Sequence, residues 1–157
     1  MSKFLYYYYV KIIINKVVIP MKELAQRLKE KNLKVTPQRL AIFQMLSKTE
    51  EHPSAETIYK SLEATHPTMS LATVYKTLDA LKKVNLIQEL NVGEDCFRYD
   101  ANTNSHPHLI CVSCREVFDM GSIDLDHIRS NIEKETNFKL VDERLYFYGI
   151  CPKCQNK

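Results

Sequence analysis

Three features predict an α+β chain made of two small units. Apolar residues recur at helical spacing from Met21 to Val84, the texture changes to short strand-like pieces after Asn85, and the remainder carries two Cys-x-x-Cys turns among further strand candidates. At 157 residues the chain can bury a core but has the size of one domain or two small ones, which excludes a large multidomain enzyme. Its net charge of +3 is unevenly placed: residues 21–90 carry 11 basic and 8 acidic groups, and residues 91–157 carry 8 basic and 11 acidic ones. The two ends therefore present different surfaces.

Residues 1–20 read as an N-terminal extension containing Tyr6 to Tyr9, Ile12 to Ile14 and Val17 to Ile19. Lys11 and Lys16 break the apolar run below the roughly 18 to 20 residues of a membrane span, and no small-residue cleavage site follows. Neither a transmembrane helix nor a signal peptide is expected. The run fits a β-rich arm, an accessory strand, or translation from a start upstream of Met21.

Residues 21–92 form the predicted helical unit. Leu24, Leu28 and Leu33 mark a first helix. Thr36-Pro37 supplies an N-cap and a proline at the first helical position, opening a second helix with Leu40, Ile42, Phe43 and Leu46. Ser54 begins a third, with Ala55, Ile58, Tyr59 and Leu62 on its apolar side, and Ser70 caps a fourth carrying Val74, Leu78 and Leu81. Strand-like pieces at Leu86 to Leu90 and Cys96 to Tyr99 flank a turn at Asn91-Val92-Gly93. Compact helices followed by a hairpin are the pattern of a winged helix-turn-helix.

Residues 93–100 read as a hinge, and residues 101–157 as a small α/β metal-binding and dimerisation unit. Its strand candidates lie near Leu109 to Val112, Glu116 to Phe118 and Leu140 to Tyr148, with a helix around Leu125 to Lys134. So small a unit is marginal alone and calls for a metal, a partner subunit, or both.

Cys111-Val-Ser-Cys114 and Cys151-Pro-Lys-Cys154 are the sharpest signal. Each turn can present two thiolates to one side of a metal, and two turns complete the tetrahedral sulfur shell of a structural zinc. A thioredoxin-like redox pair or two disulfides would also use four cysteines. Cytosolic reduction disfavours structural disulfides, and a redox pair has no need of a second copy. A zinc of this type contributes on the order of 10 to 16 kcal/mol in apparent binding energy, more than so small a core supplies.

A second constellation offers nitrogen and oxygen. His106-Pro-His108 precedes the first cysteine turn, with Asp100 before it and Asp119 after it. Residues two apart in an extended segment point to the same side, so both imidazoles can reach one ion. With carboxylates they suit manganese, iron or zinc and not copper(I); a solvated polar loop is the plain alternative. His52, between two helices, reads as a capping or surface residue unless it reaches the same ion, where it would tie the two units together. Cys96 reads as a half-buried core residue, with zinc ligand or reactive thiol as alternatives. His66 and His127 read as surface or local hydrogen-bonding groups.

The fourth helix, from Ser70, is the candidate for DNA contact. Thr73, Tyr75, Lys76 and Thr77 offer hydroxyls, a ring and a cation while Val74 and Leu78 turn inward, a face able to reach base edges and phosphates. The same pattern fits a merely solvated face. Lys22, Arg27, Lys34 and Arg39 add the distributed positive charge that phosphate contact needs.

Taken in order, these elements resemble the ferric uptake regulator family of metal-dependent bacterial repressors. The matching runs are Leu33 to Leu40 with Thr36-Pro37-Gln38-Arg39, His52-Pro53-Ser54-Ala55-Glu56 with Ile58-Tyr59, and Ser70 to Leu78 with Ala72-Thr73-Val74-Tyr75. They continue through Phe97-Arg98-Tyr99-Asp100, His106-Pro107-His108-Leu109-Ile110-Cys111 and Leu145 to Cys151. The resemblance covers residues 21–157.

Within that family the chain is most similar to the peroxide-sensing members, whose regulatory ion is held by three histidines and two aspartates. These map onto His52, Asp100, His106, His108 and Asp119. Iron uptake members usually have Glu at the two aspartate positions, further metal-site residues where this chain has Ser105 and Pro107, and a histidine where it has Glu143. The resemblance implies a cytoplasmic homodimer with structural zinc on the four cysteines and iron(II) or manganese(II) at the second site. It would present its fourth helices to a palindromic double-stranded operator, away from any membrane. It further implies oxidation of His52 or His106 by peroxide when iron is bound, a sensor's chemistry and not an enzyme's. The alternatives are an iron uptake regulator, a zinc uptake regulator using Cys96 with His106 or His108, a small non-haem iron enzyme, and a zinc-stapled interaction module.

Overall fold

A computed structural model describes residues 19–93, 96–121 and 125–156. The readings of the apolar N-terminal run at residues 1–18 lie outside them. Four helices come first: α1 (Met21–Glu30), α2 (Pro37–Ser47), α3 (Ala55–Glu63) and α4 (Leu71–Lys83). Their starts are set locally. Thr36, Ser54 and Ser70 each accept a hydrogen bond from the backbone N–H three residues on, at 3.2 to 3.3 Å, and Pro37 occupies the first turn of α2. Asn32 and Asn85 follow α1 and α4 with φ of +57°, the left-handed conformation that an asparagine adopts more readily than most residues.

One apolar cluster holds these helices: Leu24 and Leu28 of α1, Ile42, Phe43 and Leu46 of α2, Ile58 of α3, and Val74, Leu78 and Leu81 of α4. Each such side chain fully removed from water contributes about 1.5 to 3 kcal/mol. The hairpin closes the unit as an antiparallel wing of β1 (Gln88–Asn91) and β2 (Phe97–Asp100), with Gln88 directly opposite Asp100. Ile87 and Tyr99 join the same cluster.

The second half contains β3 (His108–Cys111), β4 (Val117–Asp119), α5 (Asp126–Thr136), β5 (Tyr146–Gly149) and a final turn of helix, α6 (Pro152–Gln155). The sheet order is β4-β3-β5, antiparallel between β3 and β4 and parallel between β3 and β5. Register places His108 opposite Asp119 and Tyr146. The strand expected over residues 140–148 is shorter than the sequence suggests. The Leu140 N–H donates to the Glu133 carboxylate at 2.8 Å and its carbonyl accepts from Arg129, so side chains of α5 take the groups that a ladder would need.

A second, smaller cluster of Leu90, Val92, Ile110 and Val117 joins the wing to this sheet, with Cys96 and Tyr146 packed against it. The fold is therefore α+β, a winged helix followed by a small α/β unit that carries a four-cysteine cluster. Among the described residues no helix is long and apolar enough to cross a membrane.

Candidate metal centres

Cys111 at the end of β3 and Cys114 in the following turn meet Cys151 and Cys154 around the start of α6. Arg115, at φ +59°, turns the chain back after Cys114, and its N–H donates to the Cys111 carbonyl at 2.8 Å. Sγ of Cys114 and Sγ of Cys151 are 3.8 Å apart. A tetrahedron with arms of about 2.3 Å has edges of about 3.8 Å, whereas a disulfide would hold the sulfurs at about 2.05 Å. Backbone N–H groups of Cys114 and Cys151 pull the Cys111 thiol down to about 6, which favours the thiolate a metal needs. The four sulfurs fit a structural zinc.

The second centre gathers atoms from both halves. His52 lies in the loop between α2 and α3, Asp100 ends β2, His106 and His108 lead into β3, and Asp119 ends β4. His52 has φ +48°, a conformation uncommon for a residue with a side chain. The next residue, Pro53, accepts a hydrogen bond from the Tyr99 N–H at 3.2 Å, which moors this loop to β2. The β3/β4 register sets His108 beside Asp119.

Five ligand atoms lie within 4.8 Å of one another. Nε2 of His52 is 2.9 Å and Nε2 of His106 3.1 Å from Asp119 Oδ1, while His106 Nε2 is 3.3 Å from Asp100 Oδ2. Nε2 of His108 stands 3.6 and 3.7 Å from the two carboxylates. His52 Nε2 and His108 Nε2 are buried, yet neither has a hydrogen-bond partner among the described residues. Donors aimed at a common centre with arms of about 2.1 Å at right angles would stand about 3 Å apart. His106 Nδ1 donates to the Asn104 carbonyl at 2.8 Å, which leaves Nε2 facing the centre, free to act as the donor once its proton is lost.

The charges agree. Burial alone would lower the His52 pKa, but Asp100 and Asp119 reverse this and carry it up to about 9. The same two carboxylates raise His106 to about 10 against its burial. Burial would raise both aspartates, yet the facing imidazoles hold them far below the ordinary carboxylate range. A buried and a half-buried carboxylate side by side require two positive charges, supplied by protons on the imidazoles or by one divalent cation. The set of three nitrogens and two oxygens fits iron(II) or manganese(II).

Cys96 stands outside both clusters, with its sulfur 3.3 Å from an Arg115 guanidinium nitrogen. Asp100 has partners that the sequence did not single out: Gln88 Nε2 donates to its Oδ2 at 3.0 Å and the Asn102 N–H to its Oδ1 at 2.7 Å. The signal for Gln88 was its place in the hairpin, visible only once the register pairs it with Asp100.

On α4, Tyr75 is 44% exposed and Lys76 is exposed, while Thr73 is half-buried with its hydroxyl 2.9 Å from that of Ser70. Tyr75 donates its hydroxyl proton to Glu56 of α3 at 2.5 Å. Thr77 corrects the sequence reading: at 5% exposure it faces the core beside Leu78, because it follows Val74 by three positions on the same helical stripe. Lys22 is exposed, and Arg27 is exposed but paired with Glu23 at 2.7 Å. Arg39 is half-buried and donates to the Lys34 carbonyl at 2.6 Å.

The model of the Ferric uptake regulator family matches residues 30–148. The chain is 56% identical over 137 residues to a "Transcriptional regulator PerR" of Clostridium acetobutylicum, covering 87% of this chain and 99% of that one. It is 32% identical to a "Peroxide-responsive repressor PerR" of Staphylococcus aureus, covering 87% and 93%. Among solved structures it resembles the Vibrio cholerae ferric uptake regulator, a structure described as revealing rearrangement of the DNA-binding domains. The TM-score is 0.69 at 32% identity, covering 81% of this chain and 98% of that one.

Proposed function

The chain belongs to the ferric uptake regulator family, and on that premise we propose that it is a cytoplasmic, homodimeric repressor that senses hydrogen peroxide through its five-residue centre. The observation that carries this reading is the convergence of His52, Asp100, His106, His108 and Asp119, because it joins a loop of the helical half to strands of the second half. Binding a divalent cation there stabilises the closed arrangement by the difference in its affinity for closed and open states, and so favours operator binding.

In that state α4 offers Thr73, Tyr75 and Lys76, and Lys22, Arg27 and Arg39 supply charge toward the phosphates. Ser70 fixes the helix start. Leu109 and Phe147, opposite each other on β3 and β5 and each 41% exposed, lie on one face of the sheet and suit contact with a second copy of the chain. Two α4 helices related by a dyad fit a palindromic operator. Cys111, Cys114, Cys151 and Cys154 hold the structural zinc.

When bound, iron(II) would let an imidazole give two electrons to hydrogen peroxide, the O–O bond breaking so that one oxygen goes to a ring carbon and the other leaves as water, whereas manganese(II) would provide the same shape and react poorly. His52 and His106 are the imidazoles we assign as acceptors of the oxygen atom. An oxidised ring loses its place as a nitrogen donor, the tie between the halves weakens, and the operator is released. The damage is stoichiometric, so the protein is a sensor and not an enzyme. The peroxide assignment is supported by the aspartates at 100 and 119 and by the relatives' names.

Peptide mass spectrometry after anaerobic loading and a brief peroxide dose tests this reading, with operator binding followed in parallel. One added oxygen on His52 or His106 with iron only, together with lost binding, is expected. Intact histidines and persistent binding would turn the reading to iron uptake control.

A further inference from the structure

The two carboxylates of the five-residue centre are held in different ways. Among the described residues Asp119 meets only the imidazoles of His52, His106 and His108. Asp100 is gripped on both oxygens by groups that are not metal ligands: the Asn102 N–H at Oδ1 and the Gln88 amide at Oδ2. The Gln88 Nε2 also donates to the Asn102 carbonyl at 2.7 Å, so one amide group binds the carboxylate and the backbone just beyond it. This arrangement follows from strand register. Gln88 and Asp100 are direct partners across the antiparallel β1/β2 ladder, and directly opposed side chains share one face.

We propose that Gln88 is a positioning residue: from the wing it holds the Asp100 carboxylate in the orientation that accepts the regulatory ion, and so makes the ion's affinity depend on the wing's geometry. The inference rests on the reading of the five residues as a divalent-cation centre. An ionised carboxylate released from the Gln88 amide can rotate and take water instead. Water is at hand, because Gln88 shares a polar cavity of about 220 Å³ with His106, His108, Asn85 and Ser105. Loss of the amide therefore loosens a ligand without emptying a core position. Carboxylates and imidazoles fixed by such outer partners bind more tightly, and removing one partner typically costs about tenfold to a hundredfold in affinity.

The test uses the zinc-loaded full chain and manganese(II) as the probe, with titration calorimetry for affinity and electron paramagnetic resonance for the symmetry of the bound ion. Gln88→Met keeps length and volume but removes the donor. Gln88→Asn keeps an amide one methylene too short to reach, and serves if the first variant does not fold. The expected result is manganese affinity lower by about tenfold or more and an altered resonance spectrum, with zinc content and metal-free melting unchanged. Wild-type affinity and spectrum in a folded variant would overturn the proposal. If His52→Ala, in a chain that keeps Gln88, leaves manganese binding unchanged, it is the assignment of the five-residue centre that fails.

Discussion

Nε2 of His52, in the loop between α2 and α3, lies 2.9 Å from Oδ1 of Asp119 at the end of β4. The contact spans the two halves of the chain, and it is close without being a hydrogen bond. His52 takes a left-handed backbone conformation to make it. Such strain persists only where surrounding structure over-determines it, here through the mooring of Pro53 to Tyr99. The predictions below start from this joint.

Replacing His52 by Ala should abolish metal-dependent operator binding and weaken manganese binding by at least about a hundredfold, since a direct ligand is worth more than an outer partner. Zinc content and dimer size should be unchanged, because the four cysteines lie in the other half. Calorimetry with sedimentation analysis checks both. Full metal-dependent binding by the variant would refute the five-residue assignment.

Metal affinity should rise steeply with pH. His52 and His106 carry protons up to about 9 and about 10 in the metal-free protein, and each must lose its proton to become a ligand. The logarithm of the affinity should therefore climb by up to about two per pH unit near neutrality and flatten above these values. Calorimetry in buffers of different ionisation enthalpy counts the protons released. Stability of the metal-free protein should run the other way. Raised histidine pKa values contribute fully below the unfolded value of 6.5, and the contribution is lost as pH rises through about 9 to 10.

Removing zinc should unfold the second half or dissociate the dimer. Among the described residues its buried cluster beyond the wing holds Ile110 and Val117, too little apolar burial to hold β3, β4 and β5 unaided. The zinc contribution is on the order of 10 kcal/mol. Circular dichroism and size measurement after verified chelation read the outcome; unchanged folding and size would contradict it.

Thr77 and Lys76 should separate stability from DNA contact. Thr77→Ala should leave the salt dependence of operator binding unchanged and cost about 1 kcal/mol of stability, as a buried group of the core. Lys76→Ala should leave stability nearly unchanged while reducing the slope of log affinity against log salt by about one, the signature of a single lost phosphate contact. The reverse assignment of effects would show that α4 meets DNA through a different face.

Features written in short-range patterns were legible in advance. Thr36, Ser54 and Ser70 cap the helices where the sequence placed them, since a capping hydroxyl needs only the N–H three residues on. The two Cys-x-x-Cys turns meet, as their spacing required. Thr77 departs from the sequence expectation because its place on the Val74 stripe of the helix outweighs the outward preference of a hydroxyl. The late strand begins after Leu140, whose backbone groups bond Arg129 and Glu133 instead of a ladder partner.

The sequence by itself determined the ligand types, the pairing of His106 with His108, and the order of helices, hairpin and cysteine turns, because each depends on contacts within a few residues. The family resemblance named His52 and Asp119 as ligands, but the contact of His52 with Asp119, the facing of Asp119 and His108, and the grip of Gln88 on Asp100 are set by tertiary structure. Those relationships are set by strand register and by one strained loop. Register is chosen by the burial of Leu90, Ile110 and Val117 across the joint between the halves, a property of the packed chain and of no single segment.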